Sequence, residues 1–192
     1  ATVIRYTAAM TIIRQDVFAH RWIWLLICMV AALPYYNSLN NSFHDDDEHS
    51  IVRNHHLRDL ANIPSYFADS GTFSAEPGKG MYRPLLQTTL AFNYASGAYE
   101  VRGYHVVSIL FHVLSCIGLW LLLSRLLPAH AAVAICLLYA AHPIHTQAVN
   151  YISSRSELMA GCGVIWSLWA AVVGRRWFAG AAFIMALLSK SV

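Results

Sequence analysis

Four consecutive carboxylates form the part of the sequence most capable of chemistry. They lie in the run FHDDDEH at positions 43–49, with Asp46 and Asp47 at its centre. Because adjacent carboxylates repel one another, such a run is tolerated where a cation, a proton or a hydroxyl donor relieves the repulsion. Two functions fit this pattern: a general base for an acceptor hydroxyl, or an oxygen-rich site for Mg²⁺ or Mn²⁺. A solvated acidic loop without chemistry is the alternative.

A second polar cluster follows the third apolar run of the sequence. It comprises His142 and His145 in the run HPIH, followed by Arg155 and Glu157. Ionisable residues at the edge of a helix bundle usually face its interior or a wet cavity, because exposure to lipid is costly. A metal site at the two histidines is weakly indicated, since Pro143 disrupts helical spacing and a third ligand is not evident. Interfacial histidines that end a helix are the alternative.

Two further residues are candidates on their own. Arg83, in the run YRPL, offers a fork for a phosphate or a carboxylate. His112 lies inside an apolar run, where a histidine can ligate a haem iron or the metal of a chlorin pigment. Hydrogen bonding between helices is the alternative for His112.

The helices that position these residues must come from the long apolar runs of the sequence. The chain of 192 residues is 57% hydrophobic and only 12% charged, whereas soluble domains have roughly 45–50% apolar and about 25% charged residues. A membrane span needs roughly 20 apolar residues. We therefore predict an all-α integral membrane protein with four or five transmembrane helices, the last of them cut short. The predicted apolar runs are Trp22–Leu39, Tyr104–Leu123, Ala129–Ala141, Leu158–Gly174 and Trp177–Leu188.

The distribution of basic residues predicts the orientation and the domains. Arginines cluster before the first apolar run, after the second and after the fourth, so the positive-inside rule places these segments in the cytoplasm. The predicted organisation is a cytoplasmic interfacial segment at 1–21, a transmembrane helix at 22–39, an extracytoplasmic acidic loop at 40–102 and the remaining spans at 103–192. The loop carries helix signals at 54–67 and turn signals at 76–80. A bacterial inner membrane or its equivalent is the expected location.

The charge of the chain limits its partners. The formal net charge is +3, and the basic residues are scattered, so nothing favours nucleic acid as a partner. The expected partners are membrane lipid and other proteins in or at the membrane.

The order of the motifs resembles that of a known family. The acidic run, YRPL at 82–85, GYH at 103–105, HPIHTQAV at 142–149, SRSEL at 154–158 and LSK at 188–190 follow one another. This series, across residues 22–192, resembles the amino-terminal part of the membrane O-mannosyltransferase-like proteins that carry tetratricopeptide repeats. The ordered series is more specific than any single motif in it.

The resemblance implies a function and roles for the candidate residues. Such proteins are multi-span glycosyltransferases that move a sugar from a polyprenyl-phosphate donor to a protein hydroxyl at the outer membrane face. Asp46 and Asp47 match the acidic pair of that family and Glu48 extends it, so one of the three would be the base. The candidates for binding the donor phosphate are Arg83, Arg155 and Lys190, and His142 and His145 would line the same cavity.

The chain departs from that family in its length. Members have more spans and a large repeat domain, so this sequence is expected to be a fragment or a truncated relative. The alternative is a noncatalytic accessory subunit of a larger membrane complex, including a haem- or pigment-bearing, energy-transducing one.

Overall fold

The computed structural model of the protein describes residues 21–190, and within that range every regular element is helical. The predicted interfacial segment at 1–21 lies outside the described residues except for Arg21. We number the α-helices in chain order; shorter 3₁₀ and π turns connect them. The helices are α1 (Arg21–Ala32), α2 (Ile63–Tyr66), α3 (Pro84–Gly97), α4 (Val101–Leu126), α5 (Ala129–Ala140), α6 (His145–Asn150), α7 (Arg155–Val172) and α8 (Arg176–Ser189).

Two of the helical segments are long and apolar enough to cross a membrane. The first, Trp22–Asn40, consists of most of α1 and the 3₁₀ turns that continue it, and the second is α4 with 26 residues. Helices α5 and α8 have 12 and 14 residues, which makes them about 18 and 21 Å long. A hydrocarbon core is about 30 Å thick. Two candidate spans are therefore found in the described part of the chain, and the count of four or five stays a prediction.

The third predicted span ends where the polar cluster begins. Helix α5 stops at Ala140, and the chain turns at residues 141–144. Proline disfavours helical geometry in the residue before it, so Pro143 works against helix at His142. The predicted run Ala129–Ala141 thus corresponds to α5, and the helix does not continue beyond His142, because the turn breaks it there.

Large apolar side chains cover the outside of the helices. Trp22 and Leu25 on α1, Leu110 on α4 and Leu138 on α5 are all more than half exposed, and Trp177 on α8 is 95% exposed. Water would penalise so much exposed apolar surface, whereas lipid would not. An apolar outer surface of this kind is expected of helices that contact lipid.

The segment between the two candidate spans folds against the bundle. Its side chains Leu57, Tyr66, Phe73 and Leu86 form one buried apolar cluster with residues of α4 and α7, which include Tyr104 and Met159. The helix signals at 54–67 correspond to three short helical pieces. The first two pieces each begin at a capping residue, since Asn54 and Asp59 accept hydrogen bonds from the backbone N–H groups two residues later.

Helix α3 is an element that the sequence analysis did not predict. Pro84 occupies its first turn, and the helix ends at Gly97 before Ala98, whose φ is +48°. It buries polar as well as apolar residues, because Gln87 and Asn93 are enclosed together with Leu86 and Leu90. Those two amides interrupt the apolar periodicity that would have indicated a helix.

Candidate active site

The carboxylate of Asp46 lies at the surface of the acidic run. Its side chain is 59% exposed, and its Oδ1 lies 3.2 Å from Nε2 of His49. His49 is buried, and its Nδ1 lies 3.0 Å from the hydroxyl of Ser74. The backbone N–H of Asp46 donates to the phenolic oxygen of Tyr151 at 2.8 Å. The contacts with His49 and Tyr151 therefore fix the position of Asp46, while its carboxylate stays accessible.

The carboxylate of Asp47, by contrast, is fully buried. Its Oδ1 accepts hydrogen bonds from the backbone N–H of Ser153 at 2.9 Å and from the hydroxyl of the same residue. Burial raises the pKa of Asp47 above its ordinary value, and the two hydrogen bonds from Ser153 partly oppose that shift. Asp47 thus fastens the acidic run to the segment before α7.

The backbone of the run is shaped by this attachment. Asp45 has a φ of +49°, in the left-handed region that few residues other than glycine adopt. Asp is among the side chains that tolerate this conformation best. A further link comes from Ser50, whose hydroxyl lies 3.0 Å from that of Ser153. The run is consequently an ordered turn, which argues against a freely solvated acidic loop.

Glu48 is oriented by a basic neighbour. Its Oε1 lies 3.2 Å from Nε of Arg53, and both side chains are about half exposed. Arg53 also contacts Glu76 at 3.3 Å. Glu48 is thus paired within an exposed ion network, unlike Asp46.

An open groove of about 630 Å³ lies beside the acidic run. Its volume falls in the range of roughly 300–1,000 Å³ that is typical of ligand sites. His44 and Asp45 form one wall, and the rings of His44 and Tyr151 lie 4.8 Å apart at their centroids. The other wall comes from the segment around α6: Pro143, Ile144, Thr146, Gln147, Asn150 and Tyr151. The structure therefore brings the acidic run and the segment after α5 together.

Arg83 lies just before α3, half-buried. Its Nη1 donates to the hydroxyl of Ser156 at 3.3 Å, and its guanidinium carbon lies 5.6 Å from the centre of the Phe73 ring. Burial lowers the pKa of Arg83, and the negative charges of Glu157 and Asp46 oppose this shift. The guanidinium is therefore within electrostatic reach of the Asp46 carboxylate.

Glu157 and Lys190 form an ion pair. Nζ of Lys190 lies 3.0 Å from Oε1 of Glu157, and both side chains are partly exposed. The end of α8 can reach α7 because the two helices approach closely at Gly163. A Cβ at Gly163 would lie 2.7 Å from the carbonyl oxygen of Ala182. Arg83, Glu157 and Lys190 thus form a charged cluster on the α7 side of the acidic run.

Arg155 lies away from the groove, in the interior. Its side chain is fully buried and donates to the carbonyl of Tyr104 and to three side chains at 2.8–3.2 Å, namely Thr89, Asn93 and Ser108. A guanidinium enclosed in this way is not presented to a donor phosphate. The structure gives Arg155 a packing role that joins α7 to α3 and α4, which corrects the sequence-based assignment.

The histidines are distributed over the surface and the interior. His142 is exposed, and its Nδ1 accepts a hydrogen bond from the backbone N–H of Ile144 at 3.2 Å. His145 is half-buried, 4.9 Å from the ring of His112. Neither residue lines the groove, although both flank residues that do. Burial lowers the pKa of His145, and the neighbouring His142 lowers it further.

His112 is enclosed by other rings. Its Nε2 lies 3.2 Å from the carbonyl oxygen of Ala140, and the rings of Tyr35, Tyr139 and His145 lie within 4.9–6.2 Å of its own. The structure contains the helix-to-helix hydrogen bond that was the alternative for His112, and a pigment ligand at this residue stays a prediction.

A cluster suited to a metal ion is not found in residues 21–190. No group of three or more His, Cys, Asp or Glu side chains converges there. The carboxylates of Asp46 and Glu48 are engaged with His49 and Arg53, respectively. A site for Mg²⁺ or Mn²⁺ at the acidic run stays a prediction.

Tyr151 and Ser153 are site residues that no sequence motif indicated. Both act on the acidic run from more than 100 positions further along the chain, through ordinary hydroxyl and amide groups. Their only signal in the sequence was their position between two motifs, HPIHTQAV and SRSEL.

The buried Asp47 predicts a pH dependence of stability. Its pKa is raised in the folded state, so above the ordinary value of 3.8 the folded protein binds more protons than the unfolded chain. The free energy of unfolding contributed by Asp47 therefore falls as the pH rises through the folded-state pKa. We expect the difference in free energy of unfolding between wild type and Asp47→Asn to decrease between pH 4 and pH 7, measured by denaturant titration in detergent. A difference that rises with pH would contradict the buried environment.

Comparisons with known proteins identify relatives over most of the chain. The chain is 33% identical over 162 residues to protein O-mannosyl-transferase Tmtc3 of Drosophila melanogaster, covering 71% of this chain and 17% of that protein. It is 34% identical over 139 residues to protein O-mannosyl-transferase TMTC3 of Mus musculus, covering 70% and 15%. For the protein of the same name from Homo sapiens, the identity is 32% over 138 residues, covering 70% and 15%.

These matches cover only a small part of each relative, which limits what they say about function. The chain spans about one sixth of the length of the curated relatives it matches. No protein-family profile matches the chain, and no solved structure matches it. The names of the relatives favour a glycosyltransferase-like membrane protein over an accessory subunit of a haem- or pigment-bearing complex.

Proposed function

Since the chain is a homologue of the protein O-mannosyl-transferases, we propose that it forms the acidic-loop part of a membrane glycosyltransferase that uses a polyprenyl-phosphate sugar. The acceptor is a hydroxyl of a protein. The observation that carries the proposal is the exposed carboxylate of Asp46, which follows the groove residues His44 and Asp45 and whose negative charge acts on Arg83. The acidic loop faces the side of the membrane away from the cytoplasm.

Asp46 is the general base of the proposed reaction. Its carboxylate takes the proton of the acceptor hydroxyl as that oxygen bonds to the anomeric carbon of the sugar. The bond between the anomeric carbon and the phosphate oxygen breaks, and the lipid phosphate leaves with the electron pair. The proton held by Asp46 is released to water afterwards. Asp47 is a positioning residue, because its buried carboxylate keeps the run attached to Ser153.

Arg83 stabilises the departing phosphate. A guanidinium presents donors in a fork that matches phosphate oxygens, and preorganised positive charge lowers the energy of the developing anion. The side chain of Arg83 is only half-buried, and its Nη1 donates one long hydrogen bond, 3.3 Å to Ser156, so part of the guanidinium stays accessible to a ligand. Lys190 is held near it by Glu157 and completes the cluster.

The test uses the full-length protein in lipid nanodiscs with a peptide acceptor and one of two donors. We expect transfer from polyprenyl-phosphate mannose and none from a nucleotide sugar. Arg83→Leu should lower kcat/KM for the lipid donor by about 10- to 100-fold, because a charge-assisted contact to a phosphate is worth roughly 1.5–3 kcal/mol. Arg83→Lys keeps the charge and should lose less.

Arg58→Leu is the matched control for Arg83→Leu. Arg58 is exposed in the same loop, and within residues 21–190 it makes one long hydrogen bond, 3.4 Å to the carbonyl of Val52. Transfer that depends on a nucleotide sugar, or that is equal in Arg83→Leu and Arg58→Leu, would refute the assignment.

A further inference from the structure

The groove beside the acidic run has a charge that does not suit a phosphate. Asp45 is the carboxylate in its lining, and the lining contains no Lys or Arg. The positive groups of this region, Arg83 and Lys190, belong to the cluster on the α7 side. An anionic donor would be repelled by the groove and attracted by that cluster.

Asp45 gives the groove an accessible hydrogen-bond acceptor. Its side chain is exposed, and an ionised carboxylate accepts from N–H and O–H donors. A ligand that matches this wall carries donors, and a positively charged group suits it best.

Apolar surface completes the lining. Ile144 is 71% exposed, next to Pro143, and the ring pair of His44 and Tyr151 lines the groove as well. Exposed apolar and aromatic groups beside a few polar groups are typical of ligand sites. A polypeptide segment has alternating amide donors and side chains that match such a lining.

We propose that this groove binds the acceptor polypeptide and selects segments with a basic residue next to the acceptor hydroxyl. The inference rests on the proposed function and adds to it a separate entry side of the site for each of the two substrates. The acceptor enters from the groove, where Asp45 accepts hydrogen bonds from its donors. The sugar donor enters from the cluster of Arg83, Glu157 and Lys190. Asp46 follows Asp45 of the groove, and its backbone N–H donates to Tyr151, which also lines the groove.

The test measures peptide binding without any sugar donor, so it does not depend on transfer. Fluorescent peptides of nine residues carry one central Thr flanked by Lys, by Ala or by Glu. Binding to the full-length protein in nanodiscs is followed by anisotropy. We expect the peptide with Lys to bind about fivefold more tightly than the peptide with Ala, and the peptide with Glu to bind most weakly, since one partly exposed charge pair contributes up to about 1 kcal/mol. The preference should shrink with added salt.

Two substitutions in the groove test whether the preference for the peptide with Lys depends on the charge of the groove. Asp45→Asn should abolish it, and Asn is well suited to the positive φ at this position. Gln147→Lys places a cation on the exposed face of α6 and should reverse the preference in favour of Glu. Asp59→Asn is the control: it removes an exposed loop carboxylate and keeps an N-cap side chain at a position where Asp59 accepts from Ala61.

The outcomes separate the two proposals. Equal binding of the three peptides, a preference unchanged in Asp45→Asn and Gln147→Lys, or competition by methyl mannoside in place of peptide would overturn the acceptor groove. Charge-dependent peptide binding in a protein that transfers no sugar from any lipid donor would support the groove and refute the glycosyltransferase proposal alone.

Discussion

Asp46→Asn in the full-length protein should lower the rate of sugar transfer by about 10²- to 10⁴-fold, the range that a positioned general base contributes. The asparagine amide has nearly the same shape as the carboxylate but cannot take the proton of the acceptor hydroxyl. The contacts that hold the run should persist, because Tyr151 binds the backbone N–H of residue 46 and Ser153 binds Asp47. We therefore expect kcat to fall while the KM for the lipid donor changes little.

The measurement is single-turnover transfer from polyprenyl-phosphate mannose, together with peptide binding and thermal unfolding of the same variant. Asp59→Asn serves as the control, since it removes a carboxylate of the same loop outside the site. Transfer by Asp46→Asn at the wild-type rate would exclude Asp46 as the base. Loss of folding in Asp46→Asn alone would instead assign it a structural role.

The two neighbouring aspartates could not be separated by sequence. They are adjacent, have the same side chain and match the same motif, and the resemblance assigns them as a pair. Their difference arises from a contact across 106 positions, in which Ser153 encloses one carboxylate and leaves the other exposed. Contacts of that range depend on how helices pack, which one sequence does not specify.

The long helices were the most predictable part of the fold. The apolar run Tyr104–Leu123 predicted α4, and the observed helix extends it to Val101–Leu126. The added first turn is explained by Glu100, whose side chain accepts from the backbone N–H of Arg102 at 3.4 Å. Apolar content identified this helix, whereas its ends depend on capping residues that also occur in turns.

Helix α3 and the partners of Arg155 show where the sequence was insufficient. Asn93 and Thr89 on α3 are polar and read as loop residues, yet both accept hydrogen bonds from the buried guanidinium. A polar residue next to a span is equally consistent with a substrate contact and with an interior hydrogen bond. Only the fold distinguishes the two.

Arg155→Leu should therefore destabilise the protein strongly. The leucine would strand the acceptors that Arg155 satisfies, and each unsatisfied buried group costs about 1–3 kcal/mol. Removing a buried charge returns part of this cost. We expect a net loss of about 3 kcal/mol in the free energy of unfolding, measured in detergent by tryptophan fluorescence. Arg58→Leu, the exposed control, should change it by less than about 0.5 kcal/mol.

Arg155→Lys distinguishes packing from phosphate binding. Lysine keeps the positive charge but presents three donors from one nitrogen, so it cannot reproduce a fork that reaches α3 and α4 at once. If Arg155 has a packing role, the free energy of unfolding of Arg155→Lys should lie between those of wild type and Arg155→Leu. Its KM for the lipid donor should then equal that of wild type. A variant as stable as wild type with a KM raised tenfold would restore the phosphate role that the sequence suggested. The buried position of the guanidinium favours the first result, because a group bonded to four acceptors inside the protein has little left to offer a ligand.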